Sequence, residues 1–179
     1  MSLMKKLNLI LFSALIFFFT LYNSAFSETK IITYNASEII VTDGDSLRFG
    51  EERIRLFGID APELNQMCKD EFNENYFCGE EAKKRLNRWI LFASHSKKKI
   101  YCYYSERDKY NRILGECFLG NPGETKININ FFMVLEGYAV AYLKYSDKYS
   151  EEQKTAKALK LGLWQGDFDT PEEWRKKNR

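Results

Sequence analysis

From residue 30 onward the chain runs as short apolar stretches separated by polar breaks, and the breaks mark out the elements. Residues 30–41 alternate loosely, with Ile31, Ile32, Ile39, Ile40 and Val41, and read as one or two strands. Residues 46–49 and 53–57 read as a hairpin around Gly50. Residues 64–78 are polar and read as a loop. Over 79–93 the period lengthens: Ala82, Leu86, Trp89, Ile90 and Ala93 share one face at helical spacing. A second hairpin pairs 97–104 with 112–119, and Asn121-Pro122-Gly123 makes a turn. Residues 128–136 form a short helix ending near Gly137, and 138–143 read as a fifth strand. Ser150 is expected to cap a helix to Leu161 that Gly162 stops, and Pro171 starts a last helical turn. Segregated strands and helices point to an α+β class. A five-stranded Greek-key barrel with about three helices, an OB-fold, fits the count but is not singled out by it.

The first 27 residues follow another logic. Lys5 and Lys6 precede an apolar run over 7–22, and Ala25-Phe26-Ser27 follows. This is the pattern of a signal peptide cut after Ser27, leaving 28–179 as one domain. An uncleaved N-terminal anchor is the rival, since the run is only slightly short for a membrane span. Beyond it, no segment is apolar enough to span, so no membrane contact is expected after removal. The destination is the periplasm or the external medium, and a monomer is expected.

Export changes how the cysteines read. Cys68, Cys78, Cys102 and Cys117 suggest two disulfides, with three possible pairings. Spacing favours 68–78 and 102–117. A hairpin centred on Lys109-Tyr110 would also put Cys102 opposite Cys117. Buried thiols are the plainer alternative. Zinc is disfavoured, because no C-x₂-C pair exists and there is one histidine. Charge in bulk is silent: removing Lys5 and Lys6 from the 27 basic residues leaves 25 against 25 acidic. Affinity for a polyanion must come from a local patch.

With His95 alone, and that at a helix end beside lysines, two-histidine catalysis and histidine-rich metal sites are excluded. Carboxylates and arginines remain. Asp43 and Asp45 flank Gly44 before one strand; Asp60 and Glu63 follow the next, with Pro62 between them. Oxygen donors so placed suit a hard cation, Ca²⁺ or Mg²⁺, although D-G-D alone is more often a turn with a left-handed glycine. Lys109, Tyr110 and Arg112 offer a phosphate fork and a stacking face, although most charged loops are merely solvated. A hairpin turning at Gly50-Glu51 sets Asp45 opposite Leu56. Asp60 then lies about 13 Å further along a straight strand. The two aspartates meet only if the chain bends at Gly58, where a bulge would also bring Arg55 and Asp60 to one face.

At these residues the chain resembles the staphylococcal nuclease family, in "VTDGDSLRF", "RIRLFGIDAPE", "CGEEAKKRL", "DKYNRILGECF", "LEGYAVAYLKY" and "GLWQGDF", in that order. "PEEWRKKNR" resembles the tail of exported bacterial members. The resemblance implies an OB-fold and a Ca²⁺-dependent phosphodiesterase that cleaves DNA and RNA to 3′-phosphate products. By motif position it implies Asp45, Asp60 and the Ala61 carbonyl as calcium ligands, and Arg55, Glu63 and Arg112 as the catalytic set. Lys109, Tyr110 and Tyr142 would line the nucleotide site. The chain departs from the family pattern at Ala61, Ser46, Asn111 and Lys144; after a one-residue shift, Tyr145 takes the place of the second stacking tyrosine. A non-catalytic OB module binding nucleic acid or protein is the alternative, and a structural protein with ordinary surface ion pairs is a third.

Overall fold

The computed structural model describes residues 28–121 and 126–178. The expected signal peptide and most of the turn at 121–123 lie outside them. Seven strands form the main sheet. They are β1 (Lys30–Asn35), β2 (Ile40–Val41), β3 (Ser46–Phe49), β4 (Glu52–Leu56), β8 (Lys99–Tyr104), β9 (Ile113–Leu119) and β10 (Ile127–Asn128). Two short pairs stand apart: β5 (Ile59–Asp60) with β11 (Val140–Ala141), and β6 (Met67–Lys69) with β7 (Asn75–Phe77). The helices are α1 (Cys78–His95), α2 (Ile129–Leu135), α3 (Ser150–Ala158) and α4 (Pro171–Lys177).

The strand order is β1-β8-β9-β4-β3-β2, with β10 added to β9. The two ends of this path are successive in the chain, separated by a 3₁₀ turn over Ala36–Glu38. Residues 30–41 are thus one stretch that pairs with β8 through its first half and with β3 through its second. Five chain segments build the path, and β4 pairs with β9 in parallel. The α+β class is as the pattern implied and the OB-like architecture as the resemblance implied, although the described strands make a seven-stranded sheet where five were expected.

Burial explains the helices. Ala82, Leu86, Ile90 and Ala93 turn the apolar stripe of α1 into the core, where Leu47, Ile54, Leu56, Ile100 and Ile113 meet it. Asn128 caps α2 by accepting from the Phe131 amide at 3.0 Å. His95 is exposed in the last turn of α1, as expected.

Several elements differ from the pattern's reading. The loop over 64–78 contains the β6–β7 hairpin, because Cys68 and Tyr76 pair across it and Cys78 ties its end to Cys68. The fifth strand expected over 138–143 shrinks to β11, which pairs with β5 instead of joining the main sheet. Ser150 is the first residue of α3 and not its cap; Tyr149 holds that position without a side-chain bond. Helix α3 stops at Ala158, short of Leu161. Among the described residues there are four α-helices, since the turn at Pro171 extends to Lys177. No helix among the described residues is long and apolar enough to cross a membrane.

The β3–β4 register places Asp45 where the hairpin argument put it: Ser46 faces Arg55, and the Leu56 amide donates to the Asp45 carbonyl at 2.8 Å. The bend after Phe57 is a turn, not a bulge. Gly58 takes φ +75°, a conformation that disfavours side chains. Both flanks of that turn are pinned. Buried Asn130 donates to the Phe57 carbonyl at 2.9 Å, and the Tyr142 amide donates to the Gly58 carbonyl at 2.9 Å. A Cβ at Gly58 would also press on the Tyr149 ring at 3.1 Å. Gly58→Ala should therefore cost about 1–2 kcal/mol from backbone strain alone, read as a lower urea midpoint.

Both favoured disulfides are present, 68–78 and 102–117, and Cys102 stands opposite Cys117 in the β8–β9 register. They close loops of 10 and 15 residues. In the chain-entropy view each adds up to about 3 kcal/mol. Complete reduction should lower the melting temperature; an unchanged one would count against the bridges.

Candidate active site

Strand β4 presents two arginines on one face, and they do different work. Arg53 reaches sideways and donates to the Tyr110 carbonyl at 2.7 Å. Arg107 donates to the Asn111 carbonyl at 3.0 Å and pairs with Glu52 at 2.9 Å. Together they fasten the loop over 106–112 to β4. Arg55 instead lies between two carboxylates. One amino group meets Asp45, the other meets Asp60 at 2.7 Å and the Ile59 carbonyl at 3.3 Å. Asp45 is 4% exposed and Asp60 1%, so both charges depend on protein partners. Burial lowers the Arg55 guanidinium from its ordinary value, and the charge and hydrogen bond of Asp60 pull it back up.

The rest of the carboxylate side is fixed from the backbone. Asp45 accepts from the Ala61 amide at 2.7 Å and from the Ser46 hydroxyl at 3.1 Å. The Asp43 carboxylate accepts from the Asp45 amide at 3.0 Å. Gly44 between them is not left-handed, contrary to the usual reading of D-G-D. It is needed because a Cβ there would meet the Ala61 and Ala82 methyls at 2.7 Å. The turn must lie flat against α1. Asp60 is held on its other side by β11, where it faces Val140.

Glu63 follows Pro62 and is about two-fifths exposed. Its amide donates to Gln66 at 3.3 Å, and its carboxylate accepts from Arg175 at 3.0 Å. Arg175 also donates to both Asp60 oxygens, at 3.1 and 2.8 Å. Burial works against the Arg175 charge, but its bonds to Asp60 and Glu63 outweigh that and raise its pKa. The motifs did not single out Arg175. The Thr170–Glu173 capping box with Pro171 at the helix start was readable and places it on a helix. Nothing local says where that helix docks.

The expected residues fall into three groups. Asp45, Arg55, Asp60, Ala61 and Glu63 form one contiguous cluster. Lys109, Tyr110 and Arg112 form a second, organised by Asp108. Asp108 accepts from the Arg112 amide at 2.9 Å, from its Nε at 2.8 Å and from the Tyr110 amide at 2.9 Å, and pairs with an Arg112 amino group at 2.7 Å. Burial pushes Asp108 up, but these bonds outweigh it and hold it below the usual carboxylate value. Asn111 takes φ +61°, so the left-handed turn survives without glycine. The Arg112 guanidinium is near enough to Arg55 for the two charges to be felt. It also stands 5.6 Å from the Tyr110 ring centre, and Lys109 stands 5.0 Å from it. The third group is Tyr142 and Tyr145, edge to face at 4.8 Å. Tyr142 follows β11, which pairs with Asp60, and its amide bonds the Gly58 carbonyl, which sets it beside the first cluster; burial and then the Asp60 charge push its phenol up. Tyr110 and Tyr145 are well exposed, as stacking faces need to be.

Among the described residues no group of three or more His, Cys, Asp or Glu side chains forms a metal site. The candidate set is smaller: two carboxylates and the backbone at Ala61. The set fits a hard cation. Asp45 and Asp60 already converge on one guanidinium, and Ala61 is tied to Asp45. All donors are oxygen, and so few would leave positions for water and phosphate oxygens.

Removing Arg55 would leave buried Asp45 without a cationic partner, while Asp60 keeps Arg175. Arg55→Ala should destabilise by about 3–5 kcal/mol, measured by urea unfolding. No loss would mean that Arg175 and the bonds from Ala61 and Ser46 already compensate the two carboxylates.

Known proteins similar to this chain include several nucleases by name. The Haemophilus influenzae protein named "Uncharacterized endonuclease" is 30% identical, covering 95% of this chain and 86% of its own. The Shigella flexneri "Micrococcal nuclease" is 30% identical over 79% of each chain. The Rhizobium meliloti "Succinoglycan biosynthesis protein ExoI" is 32% identical over 69% of this chain, which spans 61% of that protein's length. Residues 53–166, running from the first β4 arginine to beyond α3, match the family described as staphylococcal nuclease homologue, and the chain belongs to that family.

Proposed function

We propose that this protein is an exported, calcium-dependent nuclease that hydrolyses phosphodiester bonds of DNA and RNA to 3′-phosphate products. The coarse part, a phosphodiester hydrolase of staphylococcal nuclease type, follows from the family and from relatives named as endonucleases at about 30% identity. The observation that carries the finer reading is Arg55 set between buried Asp45 and Asp60, with Glu63 on the same cluster. Two disulfides agree with export.

Asp45, Asp60 and the Ala61 carbonyl would hold calcium. When bound there, the ion supplies positive charge for the phosphate and orients water. Glu63 accepts a proton from the attacking water. The water oxygen bonds to phosphorus and the P–O5′ bond breaks; the leaving O5′ takes a proton from solvent water, which leaves a 3′-phosphate and a 5′-hydroxyl. Arg55 and Arg112 donate to the equatorial oxygens as charge develops. In the structure each arginine is held by aspartate, so each is preset in direction before phosphate arrives. Lys109 steers the backbone, and Tyr110, Tyr142 and Tyr145 offer faces for bases.

The test is cleavage of single-stranded DNA by residues 28–179 in calcium, in magnesium and in chelator. Cleavage in calcium alone, with Glu63→Gln slower by about 10²–10⁴-fold, is the expected result. Binding without cleavage would favour the OB binding module instead.

A further inference from the structure

The six motifs end at Phe168, and the side chain that holds Glu63 comes from after them, on α4, within the tail PEEWRKKNR. We propose that Arg175 is a positioning residue for the reaction: it orients the Glu63 carboxylate by bracing it against Asp60. This rests on the reading of Glu63 as the proton acceptor.

The geometry is that of a brace. One Arg175 amino group donates to Glu63 Oε1 at 3.0 Å and to Asp60 Oδ1 at 3.1 Å; the other donates to Asp60 Oδ2 at 2.8 Å. Asp60 is buried, bonded by Arg55 and paired in β5, so the planar guanidinium ties to that fixed point a Glu63 side chain that is otherwise open to solvent. Without the brace, a glutamate has three rotatable bonds through which to leave the productive geometry.

The helix that carries Arg175 is itself anchored beside Glu63. Gln66, fully buried, accepts from the Glu63 amide at 3.3 Å and donates to the Asp169 carbonyl at 2.7 Å. Thr170 then caps α4, and Glu173 returns a bond to the Thr170 amide at 2.9 Å. Glu63 is therefore joined to the C-terminal segment twice, by its backbone through Gln66 and by its carboxylate through Arg175. A surface helix resting there by chance would need neither bond.

A positioning role predicts loss of turnover that passes through Glu63. Arg175→Gln should lower kcat by about 10–10²-fold with KM within about threefold. In a Glu63→Gln background the same change should cost less than threefold, since nothing is left to orient. Arg175→Lys, which keeps the stem and the charge, should lie between; it carries the test if Arg175→Gln does not fold. Calorimetry with calcium chloride alone should show affinity unweakened in Arg175→Gln, because a positive charge has left Asp60. Unchanged kcat in Arg175→Gln would overturn the proposal. So would a loss that adds fully to that of Glu63→Gln, or a weaker calcium affinity that accounts for it. If the wild type does not cleave, or Glu63→Gln is fully active, the proposed function fails first and takes this role with it.

Discussion

Two buried carboxylates that face each other repel, and the Arg55 guanidinium between Asp45 and Asp60 lets them share a site. Much of the surrounding structure serves that contact. The β3–β4 hairpin brings Asp45 beside Arg55, and the turn at Gly58 returns the chain so that Asp60 can reach the same guanidinium. Asn130 and the Tyr142 amide hold that turn from two sides. Such an arrangement stabilises little by itself, because desolvation consumes most of the Coulomb attraction. Its value lies in direction: each oxygen is aimed before a ligand arrives.

The sequence made part of this legible for identifiable reasons. Hairpin register is set by turn position, so the placement of Asp45 and the facing of Cys102 and Cys117 could be worked out by counting. The need for a bend at Gly58 followed from strand length alone. The stripe on α1 was plain because Ala82, Leu86 and Ile90 repeat at helical spacing. The site residues came from motif position, and the geometry gathers Asp45, Arg55, Asp60, Ala61 and Glu63 while leaving Lys109, Tyr110 and Arg112 as a separate group around Asp108.

What escaped has a common cause: it depends on contacts distant in sequence. Gly44 looked like a turn residue, but the Ala82 methyl on α1 is what requires it. Residues 138–143 looked like a barrel strand, but their partner is the short strand after Gly58. Arg53 gave no sign that it would support the loop carrying Arg112. Arg175 lies on a helix whose start was readable and whose docking was not, since docking is decided by Gln66 and Glu63 more than a hundred residues earlier.

That separation also bears on the order in which the molecule assembles. The contacts that build the β3–β4 and β8–β9 hairpins span short stretches of chain, and a bridge ties the second. The Gln66–Asp169 and Glu63–Arg175 bonds span 103 and 112 residues. Loop-closure entropy must be met before such bonds return anything, so they form after the local pairings. The bonds that organise Glu63 are therefore among those that draw together the most distant parts of the chain, and the glutamate is set only when both ends of the domain are in place.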